Sequence, residues 1–295
     1  MKTRILGRTG LSVSVVGVGT WQFGGEWGRT CTATDAREVL AAARDCGINL
    51  IDTAECYGDH LSERLIGETL PGARKDWIIA TKWGHHFHGN FRRDQRFGPA
   101  DLLAQLDASL QALRTDYVDL LQFHSGGDAE FATPGMWEAA AEAKRQGKVR
   151  FLGNSIGTSV GPAQVERSTA VGVDVIQLIY NRLQREPEET VFPSCARQNL
   201  GVLARVPLAS GFLSGKYRPG HQFPANDVRA TWTKERQEKV LAEVAQIAAT
   251  EVPAGVPMSQ WALAWVLKNP AVTAVIPGCK DAAQVRANAA AAARL

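Results

Sequence analysis

No run of this chain is apolar for long enough to cross a bilayer, which excludes a helical membrane protein. The first residues, Met1-Lys2-Thr3-Arg4-Ile5-Leu6-Gly7, lack the apolar segment and small-residue cleavage site of a secretory leader, so a cytoplasmic location is expected. Cysteine is scarce. Cys31, Cys46, Cys56, Cys195 and Cys279 are odd in number and widely spaced, with no C-x-x-C. This argues against a disulfide framework or a zinc ribbon and leaves free thiols in a reducing compartment as the expectation. An excess of one charge is missing too: the formal balance of +3 is small and dispersed, and gives no basis for a nucleic-acid partner.

Other features are present only in part. Gly17-Val18-Gly19 follows a strand-like run, but the third glycine of a dinucleotide fingerprint would fall at Gln22. Gly211-Phe212-Leu213-Ser214-Gly215-Lys216-Tyr217 is one residue short of a P-loop, and Tyr217 replaces the magnesium-binding hydroxyl. His85-His86-Phe87-His88 raises a metal hypothesis, yet no late strand ends in histidine. A barrel metallohydrolase spreads its ligands over several strands, so no metal is expected and these histidines read as surface or substrate-lining.

What the chain does have is enough apolar residue, 45% of 295, to bury a large core. It also carries a recurring device. Leu50-Ile51 is followed at once by Asp52, with Tyr57 five residues on and Gly58 permitting a sharp turn. Trp77-Ile78-Ile79-Ala80-Thr81 leads to Lys82, and Val118-Asp119-Leu120-Leu121-Gln122-Phe123 leads to His124. Each is an apolar strand ending in a group that can hold or move a proton.

The rest reads as a hairpin over 3–16 and then strand and helix in alternation, about eight times at roughly 30-residue spacing. Helices are expected from a cap near Thr34-Asp35, over 62–70, from Pro99 to Leu113, over 133–146, 233–249, 258–268 and 281–293. The alanines at 289–293 are expected to be an exposed tail. Residues 83–98 and 211–230 read as long loops, a length that points to function. An open doubly-wound sheet competes with a closed barrel. The number of units, and chemistry after several different strands, favour one (β/α)8 TIM barrel domain over 1–295, with its long loops at the C-terminal face.

With these residues in view the chain resembles the aldo-keto reductases over essentially its whole length, in the bacterial branch related to potassium-channel β-subunit-like reductases. The resemblance rests on Asp52-Thr53-Ala54, Tyr57-Gly58, Ser62-Glu63 and Leu65-Ile66-Gly67, then Thr81-Lys82, Phe123-His124, Gln177 with Tyr180-Asn181, Pro207-Leu208-Ala209-Ser210-Gly211 and Ile276-Pro277-Gly278. It implies NADPH-dependent reduction of a small aldehyde or ketone on a barrel without a dinucleotide-binding domain. The implied tetrad is Asp52, Tyr57, Lys82 and His124. Tyr57 would donate the proton, Lys82 lower the phenol's pKa, Asp52 orient Lys82, and His124 hydrogen-bond the carbonyl oxygen.

The resemblance also implies cofactor contacts. Gly19, Thr20 and Trp21, with Asp52, would lie at the nicotinamide end, and Ser155 and Gln177 at its carboxamide. Here Ile156 replaces a customary asparagine, which leaves Asn154 as a substitute. Arg205 stands where an aromatic ring usually stacks, and a planar guanidinium can take that place. Pro207, Leu208, Ser210, Gly211, Leu213 and Gly215 match the pyrophosphate loop; Gly278, Lys280, Gln284 and Asn288 match the adenosine end, with Ala287 in place of an acidic contact. Trp21, Trp27, Trp83 and Phe87 are the expected substrate walls. The alternative from another class is a regulatory protein that senses bound nucleotide with little turnover.

Overall fold

The computed structural model describes residues 1–70, 72–157 and 162–295. An antiparallel hairpin comes first, β1 (Thr3–Ile5) against β2 (Ser12–Ser14), as expected. Eight strands then form one parallel sheet. In spatial order they are β3 (Val18–Gly19), β4 (Leu50–Asp52), β5 (Ile78–Trp83), β8 (Val118–His124), β9 (Val149–Ser155), β10 (Val173–Ile179), β11 (Gly201–Arg205) and β12 (Ala274–Ile276). Parallel bridges from Val16 to Val275 and from Gly19 to Gly278 join the last strand to the first, so the sheet is a barrel. The open-sheet alternative is thereby overturned.

Inside the barrel, Leu50, Ile78, Ala80, Leu120, Val175, Leu203, Ala274 and Ile276 meet Leu6, Leu11 and Val13 from the hairpin, which plugs the end opposite the site. The plug fits because Gly7, at φ +51°, has no side chain: a Cβ there would lie 2.2 Å from the nitrogen of Gly201.

Helices surround the strands. They are α1 (Ala33–Asp45), α2 (Leu61–Thr69), α3 (Pro99–Leu113), α4 (Asp128–Phe131), α5 (Met136–Arg145), α6 (Pro162–Glu166), α7 (Pro187–Thr190), α8 (Phe192–Arg197), α9 (Lys234–Thr250), α10 (Met258–Lys268) and α11 (Ala282–Ala289). The cap of α1 is Thr32, two residues before the expected position, in a reciprocal box with Asp35. Pro99 opens α3, where its missing N–H costs nothing. The expected helix over 133–146 begins only at Met136, behind Gly135 at φ +75°.

Two further expectations are corrected. The polar stretch 83–98 contains a hairpin, β6 (His85–Gly89) paired with β7 (Arg92–Gln95). The alanines after α11 are not an exposed tail: Ala291 and Ala292 are buried in the main core. Among the described residues, no helix is long and apolar enough to cross a membrane.

Candidate active site

The alternation of a strand sends successive side chains to opposite faces. On β5 this turns Lys82 inward and Trp83 outward. Asp52 ends β4 beside it, and the register sets Lys82 level with Gln122 of β8 and Ser155 of β9 level with Gln177 of β10. All lie toward the C-terminal ends of their strands, where barrels build sites from different strands.

The ammonium of Lys82 has three protons and three acceptors. Nζ lies 2.8 Å from Oδ2 of Asp52, 2.6 Å from the carbonyl of Thr53 and 3.4 Å from Oη of Tyr57. Oδ1 of Asp52 accepts from Gln122 at 3.1 Å and from Gln177 at 2.7 Å, so the buried carboxylate is well provided with donors. The phenol oxygen accepts a hydrogen bond from Lys82 and keeps its own proton free for a ligand. Gly24 permits this placement, since a Cβ on it would lie 2.7 Å from the backbone of Tyr57. Trp21 stacks on Tyr57 at 6.0 Å between ring centres, and Trp27 meets Trp21 edge-on at 5.0 Å.

Burial shifts the proton affinities here. It is the largest influence on Tyr57 and outweighs the nearby ammonium, so the phenol is pushed up to about 12. The expected lowering by Lys82 is present but smaller than the cost of a buried phenolate. Burial works against the charge of Lys82, but Asp52 and Tyr57 overcome it and the ammonium is held above its usual range. Burial, then Lys82, Arg205 and Arg93, push His124 well below the usual histidine range, so it is neutral near pH 7.

A cleft of about 600 Å³ opens over these groups. Asp52, Tyr57 and His124 line it, and Lys82 lies buried beneath. Of the other expected residues, Gly19, Thr20, Trp21, Trp27, Ser155, Gln177, Arg205, Pro207, Leu208, Ser210, Gly211, Gly278, Lys280, Gln284 and Asn288 line it. Four do not. Trp83 is fully buried against Phe123 and Trp137, on the outward side of β5. Phe87 lies on the β6–β7 hairpin outside the lining. Leu213 is buried with Phe212, Leu241 and Val244 under the loop, and Gly215 ends that turn against Met258. Asn154 is not among the residues that line the cleft; its Nδ2 donates to Gln164 at 3.0 Å.

Of the histidines read as surface or substrate-lining, His85 lines the cleft, whereas His88 binds Asp94 at 2.7 Å. Sequence reasoning missed several other cleft residues. Arg93 also lines the cleft and pairs at 2.6 Å with the fully buried Glu26. Glu26 accepts from the indole of Trp21 at 2.7 Å and from the amide of Phe91 at 2.6 Å, tying the hairpin to the cleft wall. At the far end, Lys216, Tyr217 and Arg229 join Lys280. Lys216 and Arg229 share the cleft wall with Lys280 across more than 50 residues of chain, an arrangement invisible to motif spacing.

The chain matches the model of the Aldo/keto reductase family over residues 15–295, and it belongs to that family. It is an NAD(P)H-dependent oxidoreductase of carbonyl compounds in the general sense the family defines, with a nicotinamide cofactor. A probable voltage-gated potassium channel subunit beta from Arabidopsis thaliana is 30% identical over 305 residues, covering 98% of this chain and 90% of that protein. The NADH-specific methylglyoxal reductase of Escherichia coli (strain K12) is 29% identical over 310 residues, with 99% and 93% covered. Among solved structures, the aldo-keto reductase AKR11C1 from Bacillus halodurans, in its holo form, superposes with a TM-score of 0.83 at 30% identity, with 99% and 91% covered.

The cleft fits a nicotinamide dinucleotide. The buried Nε of Arg205 has no acceptor among the described residues, while its Nη2 is fixed to the carbonyl of Ile156 at 2.9 Å. Val206, Ala209, Ser210 and Gly211 all have positive φ, three of them at a conformational cost that recurs where backbone is shaped around a ligand. Lys216 and Lys280, neither of them ion-paired among the described residues, supply positive charge for phosphates.

Proposed function

We propose that this chain reduces small aldehydes or ketones to alcohols with NADPH, and that Tyr57 donates the proton. The observation that carries the reading is the phenol of Tyr57 at the cleft wall with Nζ of Lys82 3.4 Å behind it. A bound nicotinamide supplies hydride from its C4 carbon, and negative charge then builds on the carbonyl oxygen. The chain's own residues do the rest. Tyr57 O–H points its free proton at that oxygen. Lys82 stabilises the phenolate left behind, and Asp52 holds Lys82 in place against Gln122 and Gln177. Trp21, Trp27 and His124 limit where a small substrate can sit.

Support for NADPH comes from the adenosine end. Burial lowers the pKa of Lys280 most, and positive potential from Arg229, Lys216 and Arg29, partly offset by Asp227, lowers it further. The cofactor named for the Escherichia coli relative makes this choice one to measure. The competing reading, a nucleotide sensor with little turnover, draws on the potassium-channel relative. Steady oxidation of NADPH in the presence of a panel of aldehydes and ketones tests both. Sustained turnover supports the reductase; tight nucleotide binding with no carbonyl-dependent oxidation supports the sensor.

A further inference from the structure

We propose that Arg205 sets an unpaired positive charge against the nicotinamide ring, so that the chain holds the reduced cofactor in preference to the oxidised one and is biased toward carbonyl reduction. The proposal rests on the cofactor class and on Tyr57 as the place where the carbonyl reacts. It is independent of whether the nucleotide is NADPH or NADH.

Arg205 ends β11, level with Ile179 of β10 and Ile276 of β12, and lines the cleft. Its Nη2 donates to the carbonyl of Ile156 at 2.9 Å, and its Nε is buried without an acceptor among the described residues. A guanidinium does not give up its proton in a protein, so the side chain stays charged although burial lowers its pKa. That charge has no carboxylate at ion-pair distance among the described residues, and residues 71 and 158–161 include no Asp or Glu. Asp52 is the carboxylate that acts on Arg205, and it is taken by Lys82 at 2.8 Å. Glu55 is buried next to His124 but does not line the cleft, and its Oε1 accepts from the backbone N–H of His85 at 2.9 Å. Arg93, the other guanidinium near Tyr57, is paired with Glu26.

The charge of Arg205 is felt by both Tyr57 and His124, so it borders the space where the carbonyl reacts. Hydride transfer needs its atoms about 3–3.5 Å apart, which brings the ring to the part of the cleft lined by Asp52, Gln177 and Arg205. In the reaction the C4–H bond of the reduced ring breaks. The hydrogen leaves with both electrons for the carbonyl carbon, and the carbonyl oxygen takes the proton of Tyr57. The ring, neutral before, is left with a positive charge. An aromatic side chain beside it would attract that charge. An unpaired guanidinium repels it, the more strongly because the site is shielded from water. The planar guanidinium still stacks on the neutral ring. Arg205 therefore discriminates between two states of one cofactor that differ only at the ring.

Calorimetric titration of the reduced and the oxidised nucleotide is the test. The two share their adenosine, phosphates and riboses, so contacts away from the ring, those of Lys216 and Lys280 included, largely cancel in the ratio of dissociation constants. The expected result is tighter binding of the reduced form by about tenfold to a hundredfold, between the limits for two unit charges in water and at a protein surface. It should hold for NADPH over NADP⁺ and for NADH over NAD⁺ alike. Arg205→Gln and Arg205→Met remove the charge and should bring the ratio close to one. Arg205→Lys keeps the charge and should preserve most of the ratio, even if both forms bind more weakly. Thermal melts check that each variant is folded. Equal affinity for the two redox states in the wild type overturns the proposal. So does a ratio that Arg205→Gln and Arg205→Met leave unchanged, because a guanidinium that only stacks or meets a phosphate serves both states equally. Failure of the reductase reading looks different: no carbonyl compound oxidises the reduced cofactor, while the binding ratio, which needs no turnover, still upholds or overturns the role of Arg205.

Discussion

Nζ of Lys82 and Oδ2 of Asp52 are 2.8 Å apart, with side-chain exposures of 1% and 5%. A pair this buried has exchanged hydration for a single good geometry, and each member depends on the other. Lys82→Met keeps the volume and removes the charge, which leaves a buried carboxylate with only two amide donors. The expected outcome is a loss of roughly 3–5 kcal/mol of stability together with loss of turnover. Thermal melts and steady-state kinetics on the same preparation check it. A variant as stable and as active as the wild type would remove Lys82 from both roles.

Tyr57→Phe separates chemistry from folding. The ring still stacks on Trp21, and Lys82 keeps Asp52 and the Thr53 carbonyl. Nucleotide affinity should hold while turnover falls by about 10²–10⁴-fold, the usual worth of general acid catalysis. Turnover within a few-fold of wild type would assign the proton to another group.

These residues were legible in the sequence because a strand's last inward residues carry a site's chemistry, and the chain repeats that pattern after β4, β5 and β8. The same rule exposes the error at Trp83. It follows Lys82 directly, so alternation places it on the other face of the strand, in the core with Phe123 and Trp137. Glu26 and Arg93 were not legible as site residues. Their importance comes from contacts made across the fold, such as the 2.6 Å pairing of Arg93 with Glu26, and nothing in their neighbours along the chain signals it. The β6–β7 hairpin was hidden because His85–Gly89 and Arg92–Gln95 are polar and charged, without the alternation that marks a strand with one buried face.

His85 makes stability depend on pH. Burial, reinforced by the neighbouring His124, pushes its imidazole down to about 4. The unfolded chain binds the proton near the ordinary value of about 6.5. Above that value the group is neutral in both states and costs nothing. Between about 6.5 and 4 the unfolded state takes up the proton and the folded state does not, so stability is lost as pH falls through this window. Melting temperatures should decline over it, and His85→Gln should decline less steeply. Parallel curves for the two proteins would show that His85 titrates normally in the fold.

The cofactor prediction turns on Lys280. Near it, Arg229 is paired with Asp227 at 2.6 Å and Arg29 with Asp35 at 2.5 Å. Lys280 has no carboxylate at ion-pair distance among the described residues; its Nζ donates to the carbonyl of Trp27 at 2.6 Å. Of these three cations it is the one whose charge is not neutralised by direct pairing, and so the one best able to answer a phosphate. The carboxylate nearest in sequence, Asp281, caps α11 through the amide of Gln284 at 2.8 Å. The bland reading is that Lys280 only fastens the Trp27 loop. Lys280→Gln distinguishes the two, because the amide can still donate to the Trp27 carbonyl while the charge is gone. If Lys280 reads the 2′-phosphate, the variant should lose about 1.5–3 kcal/mol of NADPH affinity, the scale of a hydrogen bond to a charged group, and keep its affinity for NADH. Calorimetric titration of both nucleotides against both proteins measures this. Equal losses for the two nucleotides would make Lys280 a fastening for the loop, and equal wild-type affinities would remove the preference for NADPH.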